Sequence, residues 1–123
     1  MLVVDDDTSI LRVLSRIFGK KGFLVDVAED GKEAQEKMAS TVFDVAIIDL
    51  RLPDIDGTDL LSFFPEATVK IMFTGLPNVQ NNYESQEGGA DAFIVKPVSP
   101  EALLSLIERK MGEKHRIVEE ALA

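Results

Sequence analysis

The chain of 123 residues contains no cysteine, no tryptophan and a single histidine. The absence of cysteine excludes disulfide frameworks and thiolate metal sites, and it agrees with a reducing compartment. The lone His115 lies near the carboxyl end, so histidine-based catalysis is not predicted. No apolar run reaches the roughly eighteen residues of a membrane span, and the amino terminus lacks signal-peptide features. We therefore expect a soluble, cytoplasmic protein without membrane contact.

Positive charge is also scarce. The 13 lysines and arginines face 22 aspartates and glutamates, which gives a formal net charge of −9. Such a chain repels nucleic-acid backbones, so direct nucleic-acid binding is not expected, whereas a cation or a basic partner fits well. With 46% hydrophobic residues the chain is long enough to bury one core, which indicates a single compact domain.

Strand-like and helix-like segments alternate along the chain. Short apolar runs predict strands near residues 2–4, 23–28, 42–48, 69–73 and 93–95. Helical spacing and capping signals predict helices near residues 10–18, 32–39, 58–64, 78–87 and 99–111. The helix over 78–87 has only Val79 and Tyr83 as apolar anchors, so it should be the least firmly packed. This alternation predicts an α/β fold with a parallel sheet covered by helices on both faces.

The predicted strands end in polar residues. The first is followed by Asp5, Asp6 and Asp7, the third by Asp49, the fourth by Thr74, and the fifth by Lys96 and Pro97. In open parallel sheets, ligands bind beyond the carboxyl ends of the strands. These residues should therefore meet at one edge of the sheet although they are distant along the chain.

The segments LVVDDD, VAIIDLRLPDIDG, IMFTG and FIVKP, in that order, resemble the receiver domain of two-component response regulators, the CheY-like domains. The resemblance covers residues 1–111 and implies a flavodoxin-like (βα)5 fold with strand order 2-1-3-4-5. It also implies that Asp49 accepts a phosphoryl group from a sensor histidine kinase or a phosphotransfer protein. The module would be a signalling phosphoacceptor whose only chemistry is autocatalytic phosphotransfer and self-dephosphorylation.

The resemblance further implies a magnesium site, which manganese could also fill. Asp6 and Asp49 would bind the ion directly, Asp5 directly or through a water, and Arg51 through its backbone carbonyl. Magnesium prefers hard oxygen ligands and retains several waters, which agrees with this donor set. The ion would neutralise the negative charge that opposes attack by a carboxylate on a phosphoryl group.

Further positions take roles by the same resemblance. Lys96 and the hydroxyl of Thr74 would contact phosphoryl oxygens, and the Lys96–Pro97 bond would be cis. Phe93 would move inward with Thr74, which would switch the face of the fourth helix, fifth strand and fifth helix toward a partner or a homodimer. Arg51 and Leu76 would border the path of the hydrolytic water. Neither side chain is suited to orient that water, so slow self-dephosphorylation is predicted.

Other interpretations remain open. Residues 54–58, DIDGT, match the nucleophile motif of haloacid dehalogenase-type phosphatases, although Asp54 does not directly follow a predicted strand. A receiver-like interaction domain that is never phosphorylated is a second alternative. A flavodoxin-like electron carrier would need a hydroxyl-rich phosphate loop after the first strand. The segment DDDTSI instead has acidic residues where a flavin phosphate would sit, which disfavours this alternative. Asp7 fits a helix start better than a metal site. Residues 112–123 are interpreted as a helical extension or linker stub, which could also support a dimer.

Overall fold

The structure is a computed structural model that describes residues 1–75 and 89–122, with side chains as far as residue 114. Five parallel strands form one sheet in the order β2-β1-β3-β4-β5. They are β1 (Leu2–Val4), β2 (Asp26–Ala28), β3 (Val45–Asp49), β4 (Val69–Thr74) and β5 (Ala92–Val95). The predicted fold class and strand order are therefore confirmed.

Helices cover both faces of this sheet. In the described residues they are α1 (Thr8–Lys20), α2 (Gly31–Ser40), the short α3 (Gly57–Leu60), which continues as a 3₁₀ turn (Leu61–Phe63), and the C-terminal helix (Pro100–Leu122). The predicted fourth helix, residues 78–87, lies outside the described residues. Among the helices that the structure does describe, none combines the length and apolar character needed to cross a membrane.

Two apolar cores hold these layers together. One contains Phe18 of α1, Ile71 of β4 and Ile107 of the C-terminal helix, all fully buried. The other lies on the opposite face and contains Ile48 of β3 and Leu60 of α3. Burial of one such side chain is worth about 1.5–3 kcal/mol, so packing on both faces fixes the sheet and the residues at its edge.

Two strands are shorter than the sequence predicts. The predicted second strand begins at residue 23, but β2 begins at Asp26, because β1 supplies partners only from Leu2 onward and Leu2 pairs with Asp26. The predicted third strand begins at residue 42, but β3 begins at Val45, where pairing with β4 starts. Val42 is 78% exposed, so its apolar side chain does not belong to the core.

Ser99 caps the start of the last helix. The Ser99 hydroxyl accepts a hydrogen bond from the N–H of Ala102 at 3.1 Å, which satisfies an unpaired donor of the first turn. The helix is continuous from Pro100 to Leu122, and its Lys114 ammonium lies 3.1 Å from an oxygen of Asp91, directly before β5. The C-terminal helix is thereby fastened to the amino end of the sheet, opposite the edge that carries the candidate site.

Candidate functional site

The carboxyl ends of β1 and β3 bring three carboxylates together. Val4 pairs with Ile48, so Asp5 and Asp6 follow β1 beside the point where β3 ends at Asp49. One oxygen from each of these three aspartates lies within 4.8 Å of the others. Asp5 is buried and Asp6 is exposed, so the cluster opens to solvent on one side. Such a cluster is a candidate site for a cation.

Lys96 places a positive charge against this cluster. Its Nζ lies 2.9 Å from Oδ2 of Asp5 and 3.7 Å from Oδ1 of Asp49. The same ammonium lies 5.1 Å from the centroid of the Phe73 ring, within the range of a cation–π interaction. The lysine side chain is only 20% exposed, so the ion pairs are weakly screened. One lysine leaves the three carboxylates with an excess of negative charge.

Burial and the excess negative charge both act on the pKa of Asp49. Burial, followed by repulsion from Asp5, raises the pKa of the Asp49 carboxyl from 3.8 to about 6, although Lys96 opposes the shift. The ionised form of Asp49 is therefore destabilised in the metal-free protein. A divalent cation that neutralises the cluster would remove this penalty.

Asp5 and Asp7 have different roles, as the sequence predicts. Asp5 is held at both oxygens, because Oδ1 accepts the N–H of Asp7 at 2.9 Å and Oδ2 accepts the Lys96 ammonium. The Asp7 side chain instead accepts the N–H of Ser9 at 2.9 Å and caps α1. The interpretation of Asp7 as a helix start is confirmed, and Asp5 is oriented by the start of the same helix.

Thr74 and Phe93 lie on the neighbouring strands. Thr74 is the last residue of β4 and is 2% exposed, and its carbonyl accepts the N–H of Lys96 at 2.6 Å. Asp49 pairs with Phe73, which places Thr74 one residue beyond the end of β3. Phe93 is partly buried on β5 and packs against the second core. The peptide bond between Lys96 and Pro97 is cis, the configuration that the resemblance implies.

The loop after β3 packs tightly against Asp49. Arg51 forms an isolated antiparallel bridge with Asp56, and the N–H of Gly57 donates to the carbonyl of Leu50 at 2.7 Å. A Cβ atom on Gly57 would lie 2.1 Å from the carbonyl oxygen of Asp49, a separation that no side chain tolerates. Gly57 therefore allows the loop to close behind Asp49. Leu76, the second predicted hydrolysis-rate position, lies outside the described residues.

The DIDGT segment does not form a second site at a strand end. The carboxylate of Asp54 accepts hydrogen bonds from the backbone N–H groups of Gly31 at 2.9 Å and Lys32 at 3.0 Å. Both oxygens of Asp54 thus face the start of α2. This contact is a loop-to-helix interaction.

The sequence interpretation missed two residues of the site. Phe73 provides the ring beneath the Lys96 ammonium, and Gly57 provides the space behind Asp49. Phe73 appeared only as a core residue of the fourth strand, and its position before Thr74 was the available signal. Gly57 was not identifiable, because its contact with Asp49, eight residues away, leaves no local pattern in the sequence.

The donor chemistry of the cluster fits magnesium. Three carboxylate oxygens are hard ligands, and the exposed side at Asp6 leaves room for the waters that magnesium retains. Among the described side chains, the cluster contains aspartates and no histidine, which disfavours a zinc site. Asp5, Asp6 and Asp49 therefore form a candidate divalent-cation site on this chain.

Comparisons with known proteins agree with this geometry. The sequence profile described as "Response regulator receiver domain" matches residues 1–108. The transcriptional regulatory protein ResD of Bacillus subtilis is 36% identical over 102 residues, which are 81% of this chain and 42% of ResD. The chain spans about half the length of the curated relatives it matches.

Solved structures show the same relationship. A CheY-like receiver domain protein from Methanospirillum hungatei superposes with a TM-score of 0.85 at 39% identity, covering 94% of both chains. A response regulator from Burkholderia pseudomallei, described with a phosphorylated aspartic acid, a calcium ion and citrate, has a TM-score of 0.79 at 26% identity, covering 98% of this chain and 72% of its own. The profile match over residues 1–108, the shared fold and the sequence identity lead to the same conclusion. The chain belongs to the response regulator receiver domain family, the signalling domain of two-component systems.

Proposed function

We propose that this receiver domain accepts a phosphoryl group on Asp49 from a histidine kinase or a phosphotransfer protein, in a reaction that depends on magnesium. The observation that carries the proposal is the convergence of Asp5, Asp6, Asp49 and Lys96 at one edge of the sheet. The phosphorylated aspartic acid in the related Burkholderia pseudomallei protein supports the choice of chemistry.

The cation would be held by the carboxylates of Asp5, Asp6 and Asp49 and by the backbone carbonyl of Arg51. When bound, the ion supplies positive charge that offsets repulsion between the carboxylate cluster and an incoming phosphoryl group. Manganese offers similar oxygen-ligand chemistry and would serve as a substitute. Asp5 is already oriented for this role, because Asp7 and Lys96 hold its two oxygens.

Asp49 would act as the nucleophile. One of its carboxylate oxygens forms a bond to phosphorus while the bond from phosphorus to the donor breaks, and the donor nitrogen of the kinase histidine retains the electron pair. The product on this chain is a mixed anhydride at Asp49. Asp49 has a pKa of about 6, so most of it is ionised near neutral pH and available for attack.

Lys96 and Thr74 would stabilise the transferred group. The Lys96 ammonium, 3.7 Å from Oδ1 of Asp49, is close enough to pair with a phosphoryl oxygen on that residue. Thr74 ends the adjacent strand, and its hydroxyl would donate to another oxygen. Movement of Thr74 together with Phe93 would then carry the change into β5 and toward a partner or homodimer surface.

An apolar groove beside Lys96 fits a protein donor. Ile10 and Val13 of α1, together with Pro97 and Val98 beside Lys96, border an apolar groove of about 360 Å³. Val13 is 52% exposed, although it is apolar. An apolar surface next to a phosphoacceptor suits docking of a helix from a kinase or phosphotransfer protein, which would bring its phosphohistidine to Asp49.

The proposal can be tested with a small phosphodonor. The protein is incubated with acetyl phosphate, with magnesium or with a chelator, and its intact mass is followed together with release of inorganic phosphate. We expect a single phosphoryl adduct that requires magnesium and is absent in Asp49→Ala. Asp54→Ala serves as the control for the DIDGT motif and should still be modified when magnesium is saturating.

Two other results would favour the alternatives. Steady phosphate release that is lost in Asp54→Ala but retained in Asp49→Ala would support a phosphatase. Absence of any adduct, together with absence of magnesium binding, would support an interaction domain that is never phosphorylated.

A further inference from the structure

The loop between β3 and α3 carries the backbone carbonyl that the proposed magnesium site requires. Residues 50–57 form a compact turn, in which the N–H of Leu52 donates to the carbonyl of Ile55 at 3.2 Å and Arg51 bridges to Asp56. The N–H of Gly57 closes the turn on Leu50 at 2.7 Å. Because these contacts join the two arms of the turn, a displacement of its tip would also shift the backbone at Arg51.

The tip of this turn is fixed to a different helix. Oδ1 of Asp54 accepts the N–H of Gly31 at 2.9 Å, and Oδ2 accepts the N–H of Lys32 at 3.0 Å. These hydrogen bonds, that of Gly31 first, lower the pKa of the Asp54 carboxyl, so it is ionised at neutral pH. A Cβ on Gly31 would lie 2.5 Å from Cγ2 of Ile55, so the close approach of turn and helix depends on a glycine here.

We propose that Asp54 is a positioning residue that anchors the turn on α2 and thereby sets the backbone carbonyl of Arg51 for the cation. The inference rests on the proposed magnesium site and adds a residue that does not itself touch the ion. It also gives a role to the DIDGT segment, whose first aspartate is tied to a helix rather than to a substrate. Residues that orient metal ligands from outside the site typically change metal affinity about 10–100-fold when removed.

A purely structural role for Asp54 must be separated from this one, and α2 offers the matched control. Asp30 caps the same helix terminus, since its side chain accepts the N–H of Glu33 at 2.8 Å. Asp30 caps the helix from its own chain segment, whereas Asp54 reaches it from the turn that follows Asp49. Asp30→Ala and Asp54→Ala should therefore both weaken α2, but only Asp54→Ala should disturb Arg51.

The experiment measures magnesium affinity and stability side by side. Magnesium is titrated into the full chain and followed by the backbone amide signals in nuclear magnetic resonance spectra, and thermal unfolding is recorded with magnesium and with a chelator. We expect Asp54→Ala to bind magnesium about tenfold more weakly, at the lower end of the range for such residues, while Asp30→Ala binds as the wild type does. The magnesium-dependent rise in Tm should shrink only in Asp54→Ala.

Asp54→Asn retains one acceptor oxygen, so it should recover part of the lost magnesium affinity. If Asp54→Ala does not fold, Asp54→Asn takes its place in the comparison. Equal affinity in wild type and Asp54→Ala, or an equal loss in Asp30→Ala, would overturn the inference alone. A wild-type chain that does not bind magnesium would overturn the proposed metal site together with the inference.

Discussion

Neutralising Asp49 should stabilise the metal-free protein. Burial and the neighbouring Asp5 raise the pKa of Asp49 from 3.8 to about 6, and its side chain is only 12% exposed. A shift of about two pKa units corresponds to roughly 3 kcal/mol of free energy that opposes folding when the group is ionised. The change to asparagine removes this penalty, while Lys96 keeps its ion pair with Asp5 at 2.9 Å.

The sign of the pH dependence follows from the raised pKa. Between pH values of about 4 and 6 the folded state holds the Asp49 proton more tightly than the unfolded state, so this residue lowers stability as the pH rises through that window. Asp49→Asn should match the wild type below the window and gain up to about 3 kcal/mol above it. The gain should disappear when magnesium is added, because the ion stabilises only the carboxylate form of the site.

The assay is urea-induced unfolding followed by circular dichroism, in the presence of a chelator, across this pH range. Glu36→Gln is the control, because Glu36 is exposed on α2 and its replacement changes the net charge by the same amount. If Asp49→Asn is no more stable than the wild type near neutral pH, or if Glu36→Gln is stabilised equally, the electrostatic account of the cluster is wrong.

Three further predictions concern the same edge of the sheet. Gly57→Ala should lower the free energy of unfolding by about 1–3 kcal/mol in chemical denaturation, because its Cβ would lie 2.1 Å from the Asp49 carbonyl oxygen. The control is Gly19→Ala, in an open position of α1, which should be neutral or slightly stabilising. Asp6→Asn should raise the stability of the metal-free protein and abolish phosphorylation by acetyl phosphate; a loss of stability would count against charge repulsion at the site. Leu76→Glu should accelerate loss of the phosphoryl group, measured as decay of the adduct mass, and an unchanged decay rate would refute the hydrolysis-rate role of that position.

Much of the site could be predicted from the sequence because strand ends carry topological information. Asp5, Asp49 and Lys96 are distant along the chain, yet each follows a short apolar run. In a parallel sheet all such positions lie at one edge. The capping roles of Asp7 and Ser99 were also predictable, since a side-chain cap depends only on neighbouring residues.

Other features depend on tertiary contacts that leave no local pattern. The start of β2 at Asp26 follows from where β1 offers partners, and the apolar letters of residues 23–25 do not reveal it. The hydrogen bonds from Gly31 and Lys32 to Asp54 join residues more than twenty positions apart. The ring of Phe73 beneath Lys96 likewise becomes visible only when two strands are placed side by side.

The most direct test of the account asks which aspartate carries the phosphoryl group. After incubation with acetyl phosphate and magnesium, borohydride reduction converts an aspartyl phosphate to homoserine, and tryptic peptides are sequenced by mass spectrometry. Cleavage after Lys37, Arg51 and Lys70 places Asp49 in peptide 38–51 and Asp54 in peptide 52–70. We predict homoserine at position 49 alone, with Asp44 in the same peptide unchanged. Homoserine at position 54, or at no position, would contradict the assignment of Asp49 as the phosphoacceptor.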